Sequence, residues 1–262
     1  MANSIVTRDF LTPSVVTATT TATGFRVGDV LLDTKIGRVH RGTSPTGQSY
    51  LFQFPTAVRP RGVLVQTENF TTCTWSAGVD TDADDDTIGA RSVYFSELTQ
   101  RYVGLQPLPA GTARLYYKLA VSGVLGGDGF AGLSGVTFVT EAGMVPIGYS
   151  YGWPKWGQAQ KVDVLDVGSQ VSVRGRPFLR LGLGQPHIRK GASEADLIFH
   201  RNLVATAKHT PHLFSTNRPA DLDGDGTCKR AWLMVVEGEE QSHDETMVTF
   251  SPDTMVVREV IE

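Results

Sequence analysis

The chain has few of the residues that usually identify a chemistry. Only two cysteines occur, Cys73 and Cys228, far apart in 262 residues. Two such thiols cannot build a disulfide framework or a cysteine-based zinc site. Buried free thiols are the expected state, with a single long-range bridge left open. No apolar run approaches the roughly 20 residues of a membrane span, so membrane insertion is not expected. The opening MANSIVTRDFLTPS lacks the continuous apolar core of a signal peptide, which implies synthesis in a cytoplasm. Charged residues make up only 19% and the net charge is −3, which gives no global attraction to nucleic acid or to an anionic surface. The six histidines show no H-E-x-x-H spacing, and no phosphate-binding lysine loop is present. Long amphipathic helical stripes are also missing.

Turn residues and short alternating runs are abundant. Gly 28 and Pro 13 exceed their usual combined share of about 12%, without low complexity, which favours many short strands. Residues 61–86 set the pattern. Val63, Leu64 and Val65 form a β-branched run, and Glu68-Asn69 supplies a turn. Cys73, Trp75, Ala77 and Val79 then alternate with Thr74, Ser76 and Gly78, the period of a strand with one buried face. Further strands are expected at 29–32, 50–54, 91–95, 114–121, 136–140, 161–164, 231–236, 247–250 and 255–261. Residues 171–174 and 178–183 read as a hairpin across Gly175–Pro177, written GRP in the sequence. The best helix candidate is 195–206, which suits a strand equally. The fold class is therefore all-β, a β-sandwich or jelly-roll-like body over 24–262, with a division near 150–160 left open. Residues 1–23 include the Thr-rich SVVTATTTAT and read as an extended N-terminal arm.

Several motifs match known chemistry in part. Gly127, Gly129 and Gly132 spell G-x-G-x-x-G, but the strand expected at 136–140 follows where a dinucleotide site needs a helix. Gly148-Tyr149-Ser150-Tyr151-Gly152 spells the nucleophile elbow, yet Pro154 blocks the helix that must follow. Asp221, Asp223 and Asp225 alternate like the start of a calcium loop and are candidate metal ligands. Position twelve, however, is Trp232 instead of the closing Glu. Calcium is thus the one cofactor to consider; otherwise none is implied. Asp80, Asp82, Asp84, Asp85 and Asp86 would repel one another without a cation or basic neighbour, so they should be exposed. Tyr149, Tyr151, Trp153 and Trp156 could form a stacking platform for sugar rings, or equally a core or interface anchor.

An all-β chain with a Thr-rich arm, glycine-rich loops and no catalytic set resembles the virion proteins of tailed bacteriophages, such as tail, neck, baseplate or fibre-attachment components. That resemblance implies a non-enzymatic assembly protein located in the virion. It would associate with itself as a homo-oligomer and with other virion structural proteins, through sheet edges and the arm. The alternative from another class is a carbohydrate-binding adhesin module using the 149–156 aromatics and calcium at 221–225. A hydrolase on a β scaffold, with Ser150 as nucleophile, ranks third.

Overall fold

The computed structural model describes residues 3–7, 10–31, 39–96, 101–108, 111–140, 145–148, 150–151, 155–164, 170–184, 188–189, 212–216, 221–237, 243–245, 249–252 and 255–259. The described residues are strands joined by loops, with one short 3-10 turn at Val27–Leu31 and no α-helix. In chain order the first half holds β1 (Asn3–Thr7), β2 (Phe10–Leu11), β3 (Val15–Ala18), β4 (His40–Arg41), β5 (Ser49–Val58), β6 (Gly62–Thr67) and β7 (Phe70–Gly78). These are followed by β8 (Asp86–Ser92), β9 (Tyr94–Ser96), β10 (Arg101–Pro107), β11 (Arg114–Val124), β12 (Gly132–Val139) and β13 (Val145–Gly148). The second half holds β14 (Ser150–Tyr151), β15 (Lys155–Val164), β16 (Gln170–Gly184), β17 (Ile188–Arg189), β18 (His212–Thr216) and β19 (Ala231–Glu237). It ends with β20 (His243–Glu245), β21 (Thr249–Pro252) and β22 (Met255–Glu259).

The chain divides into two compact units, the larger comprising essentially 2–147 and 212–233, the smaller 148–211 and 234–261. In the smaller unit β15 and β16 form a long antiparallel pair, and β17, β21 and β20 form a separate three-stranded sheet. The hairpin expected within 171–183 is instead one continuous strand, β16, paired with β15, β14 and β22. The helix candidate at 195–206 lies outside the described residues.

The larger unit is a β-sandwich. One sheet runs β3-β5-β11-β7-β8 and the other β2-β12-β6-β10-β9, with β4 also paired to β12. Between them lies an aromatic core centred on Phe138. Its ring centroid is 5.2 Å from Phe54, 5.3 Å from Phe52, 5.7 Å from Trp75 and 5.8 Å from Tyr117. The pairs with Phe52, Phe54 and Trp75 are edge-to-face, and such rings add about 0.5–1.5 kcal/mol per pair to their area burial. Alternation works as the sequence implies on β5, where Tyr50, Phe52 and Phe54 are buried, and on β7, where Cys73, Trp75 and Ala77 are. Val79 departs from it, 59% exposed, because β7 ends at Gly78. Every residue of β6 is buried. Val63 and Val65 face the aromatic core, while Leu64 joins a second apolar cluster with Val103, Leu105, Val139, Leu213, Cys228 and Leu233. A strand covered on both faces has no reason to alternate, which explains the Val-Leu-Val run.

Glu68-Asn69 does form the turn, but β6 and β7 enter opposite sheets instead of pairing. Of the strand expected at 29–32, residues 29–31 lie in the 3-10 turn, where Asp29 N donates to Arg26 O at 3.2 Å, and Leu32 lies outside the described residues. Gln106 supplies the polar point of the core. Its Oε1 accepts from Trp75 Nε1 at 2.6 Å, and its Nε2 donates to Ser92 O at 3.1 Å. The two cysteines are both buried and neither is in a disulfide, and burial pushes the Cys73 thiol up to about 12.

The N-terminal segment is extended, as expected, but it is not a free arm. β1 pairs antiparallel with β18, β2 with β12, and β3 with β5. Val16 is buried in the aromatic core, and Phe10 and Leu11 pack against the two apolar clusters. The threonines contribute through their hydroxyls: Thr20 Oγ1 donates to Gln48 Oε1 at 2.6 Å, and Thr21 Oγ1 meets His40 Nε2 at 3.0 Å. His40 Nδ1 lies 3.0 Å from the Tyr50 hydroxyl, and burial lowers the imidazole below its ordinary value.

Two outcomes follow from this packing. Deleting residues 1–22 should destabilise the domain, since burial of Val16 alone contributes about 1.5–3 kcal/mol. Thermal melting of the truncated chain checks this, and an unchanged midpoint would show the segment to be dispensable. Gln106→Leu should cost about 2–3 kcal/mol, because it orphans the buried Trp75 N–H. Urea unfolding should show a lower midpoint at an unchanged slope.

Candidate functional site

A cleft opens at one end of the β3-β5-β11-β7-β8 sheet. Arg59 and Pro60 follow β5, Asp86, Thr87 and Ile88 begin β8, and Leu108 follows β10. Gly111, Thr112, Arg114 and Tyr117 belong to the start of β11 and the turn before it, and the cleft, open to solvent on one side, has a volume of about 240 Å³. Local pairing fixes these positions. Arg114 lies opposite Val58 across the β11–β5 ladder, and Asp86 opposite Ala77 across β7–β8. Tyr117 forms the floor. Its ring packs edge-on against Phe54, 5.8 Å between centroids, and its hydroxyl donates to Val58 O at 3.0 Å. Burial raises the phenol to about 12, so it stays neutral.

Arg114 organises the charge. Its Nε donates to Asp86 Oδ2 at 2.6 Å, and its Nη1 lies 3.4 Å from Asp85 Oδ2. That same Asp85 oxygen accepts the backbone N–H of Val79 at 2.9 Å. The hydrogen bond from Arg114 holds the Asp86 carboxyl below its ordinary value. Both carboxylates are more than one-third exposed, and among the described residues neither Oδ1 is engaged. The site thus offers two carboxylate acceptors on a fixed framework, beside apolar surface from Ile88, Leu108 and Tyr117.

Asp80, Asp82, Asp84 and Asp85 are exposed, as expected, Asp86 is half-buried, and the basic neighbour of the run is Arg114. The intervening loop is tight. Ala83 adopts φ 50°, buried against Gly78, where an added Cβ would come within 2.7 Å of the Ala83 Cα. Asp82 N bonding to Asp80 Oδ1 at 3.2 Å makes an Asx turn that supports this conformation.

Asp221, Asp223 and Asp225 do not converge as calcium ligands. Asp225 Oδ1 accepts Thr227 N at 2.8 Å and its Oδ2 accepts Ser92 N at 3.3 Å. Asp221 pairs with Arg230 at 3.3 Å, and Gly226, at φ 81°, closes the turn to Asp223 O. Among the described residues no group of three or more such side chains could hold a metal ion. The carboxylates serve backbone amides and an arginine, and so shape an acidic turn. Of the aromatic platform, Tyr149 and Trp153 lie outside the described residues. The backbone of Tyr151 pairs with Leu183, and that of Trp156 with Leu179. Ser150 is on the short strand β14, paired with Gly184. Gly127 and Gly129 are in an exposed loop, and β12 starts at Gly132, a strand where a nucleotide site requires a helix. Asn69, in the turn between β6 and β7, is buried. Its amide donates to Asp128 Oδ2 and Phe130 O and accepts from Gly132 N.

The cleft was not readable as a site in the sequence. Its acids were visible as a run, but Arg59, Arg114 and Tyr117 reach them only through strand pairing.

No protein-family model matches the chain, and no curated protein matches it. Among solved structures it is similar to the family 32 carbohydrate-binding module from C. perfringens NanJ in complex with galactose. The identity is 14%, the TM-score 0.41, and the match covers 51% of this chain and 98% of that one. It is also similar to the lectin domain of lectinolysin complexed with Lewis B antigen, at 9% identity and TM-score 0.35, covering 48% and 92% respectively. Likeness at this level carries no argument about a ligand, and the sandwich described above rests on its own strand pairing. The expectation of an assembly protein in a phage particle is corrected. The segment expected to exchange strands between subunits is instead paired within its own chain, β1 with β18, β2 with β12 and β3 with β5.

The Asp86–Arg114 pair carries a pH signature. A carboxyl depressed in the folded state contributes stability above its unfolded value and loses it as pH falls through the folded one. The pair should therefore stay closed from pH 8 to 5 and open only below about 3.8, the ordinary value. Carbon-13 titration of the Asp86 carboxyl should give a midpoint below 3.8, moving up in Arg114→Gln. A wild-type midpoint at or above that value would contradict the geometry.

Proposed function

We propose that the larger unit is a non-catalytic carbohydrate-binding module whose site is the cleft over Tyr117. One observation carries this: two carboxylates that line the cleft are each held by Arg114 through a single oxygen, and both side chains stay more than one-third exposed. Ionised carboxylates only accept, so the matching ligand supplies neighbouring donors. Adjacent hydroxyls of a sugar ring do so, while the C–H face of the ring lies on Ile88, Leu108 and the Tyr117 phenol. At about 240 Å³ the cleft is smaller than the ~300–1,000 Å³ typical of drug-sized ligands, which suits one sugar unit at the end or branch of a glycan. The galactose and Lewis B ligands of the two similar structures belong to the same chemical class, although the proposal rests on the carboxylates and not on them.

A binding role fits the protonation state better than hydrolysis. A glycosidase needs one carboxyl raised so that it carries a proton at working pH. Asp86 is held low by Arg114 and has no proton to give.

Glycan-array screening of the full chain, followed by calorimetric titration of the hits, tests the reading. Asp85→Asn and Asp86→Asn should each weaken binding about tenfold or more, equivalent to about 1.4 kcal/mol. Melting curves should establish that both variants remain folded. Absence of binding to any glycan, or binding indifferent to both substitutions, would sink the assignment.

A further inference from the structure

We infer that the cleft selects a sugar bearing a carboxylate, and that Arg59 is the residue that reads it. The inference rests on the binding role proposed above and names the ligand class of that site. Four charged side chains line the cleft: Arg59, Arg114, Asp85 and Asp86. Arg114 is already committed, bonded to Asp86 at 2.6 Å and within 3.4 Å of Asp85, with only 17% of its side chain exposed. Arg59 differs. It is exposed, and among the described residues no hydrogen bond or ion pair engages it. It nonetheless lines the same cleft as Tyr117.

Sheet order separates the two kinds of group. Arg59 follows β5 and Asp86 begins β8, and in the order β5-β11-β7-β8 these strands are three spacings apart. At about 4.8 Å per spacing the two backbones are roughly 14 Å apart, with Arg114 and Tyr117 on β11 between them. One flank of the cleft therefore carries the two acceptor carboxylates, and the other the donor guanidinium of Arg59. A neutral sugar satisfies the acceptor flank with its hydroxyls but leaves a guanidinium losing water without a counter-charge. A sugar acid satisfies both: its hydroxyls face Asp85 and Asp86, and its planar carboxylate meets the Arg59 fork in two parallel bonds. A tetrahedral sulfate shares the charge but not the planar match.

The test uses the full chain and three probes on one scaffold: methyl glucuronide, methyl glucoside and methyl glucoside 6-sulfate, with methyl galacturonide and methyl galactoside as a second series. Calorimetric titration at about 50 mM and about 500 mM salt should show the uronide bound at least tenfold more tightly than its neutral counterpart in one series, with most of the advantage lost at high salt. Arg59→Gln should bring acid and neutral sugar within about a factor of two, while its melting curve stays that of the wild type. Arg59→Lys should recover only part of the preference, since an ammonium keeps the charge without the fork. If the neutral sugar binds as well as the uronide, the sulfate binds better than it, or the preference survives Arg59→Gln, this inference fails while the binding reading stands. Binding through Asp85 and Asp86 of sugars outside these series, none of them acidic, would likewise overturn the acid preference alone. If no sugar binds at all, both fail.

Discussion

Phe138 is the residue on which the larger unit closes. It projects from β12 into a ring of Phe52, Phe54, Trp75 and Tyr117, contributed by the three central strands of the opposite sheet. The two sheets are thus joined by interlocking rings, and their spacing is set by aromatic geometry more than by loops. Interiors packed this densely transmit any change in one side chain to its neighbours. Tyr117 is the outermost member of the ring, and it is also the floor of the cleft. The site is therefore an extension of the core, with its base held by the same contacts that hold the fold.

The cleft shows how charge is fixed on such a base. Arg114 crosses from β11 to Asp86 on β8 and Asp85 beside it, in an arrangement that leaves one oxygen of each acid available. Exposed ion pairs contribute little to stability, so the pairing matters chiefly for orientation. The aspartates at 221–225 show the opposite use of the same residue type. There the carboxylates cap backbone amides and pair with Arg230, and they order a turn without forming a ligand set.

The N-terminal segment is the clearest lesson in what composition conceals. A Thr-rich stretch with few large apolar groups looks unable to fold against anything. Its backbone, however, completes β5 through the β3 ladder, its hydroxyls bond Gln48 and His40, and Val16 is buried in the core. Hydrogen bonds at a sheet edge and a few apolar anchors, Phe10, Leu11 and Val16, together hold the segment, and neither has a periodic signature. The sheet edges themselves were legible only as unspecified strands, because nothing local names a strand's partner.

Local patterning alone determined that this chain is built from strands. Period-two alternation on β5 and β7, the unbroken apolar run of β6, and the frequency of Gly and Pro each follow from backbone sterics and one-sided or two-sided burial, which act over a few residues. Tertiary structure alone decided which strands pair, that β6 and β7 part into opposite sheets, that 170–184 is one strand, and that the first residues belong to the body. It also decided the site. Arg59, Asp86, Arg114 and Tyr117 are scattered along the chain and carry no shared motif. They meet because antiparallel registers bring the end of β5, the start of β8 and the start of β11 to one end of the sandwich, and registers are set by long-range packing around Phe138.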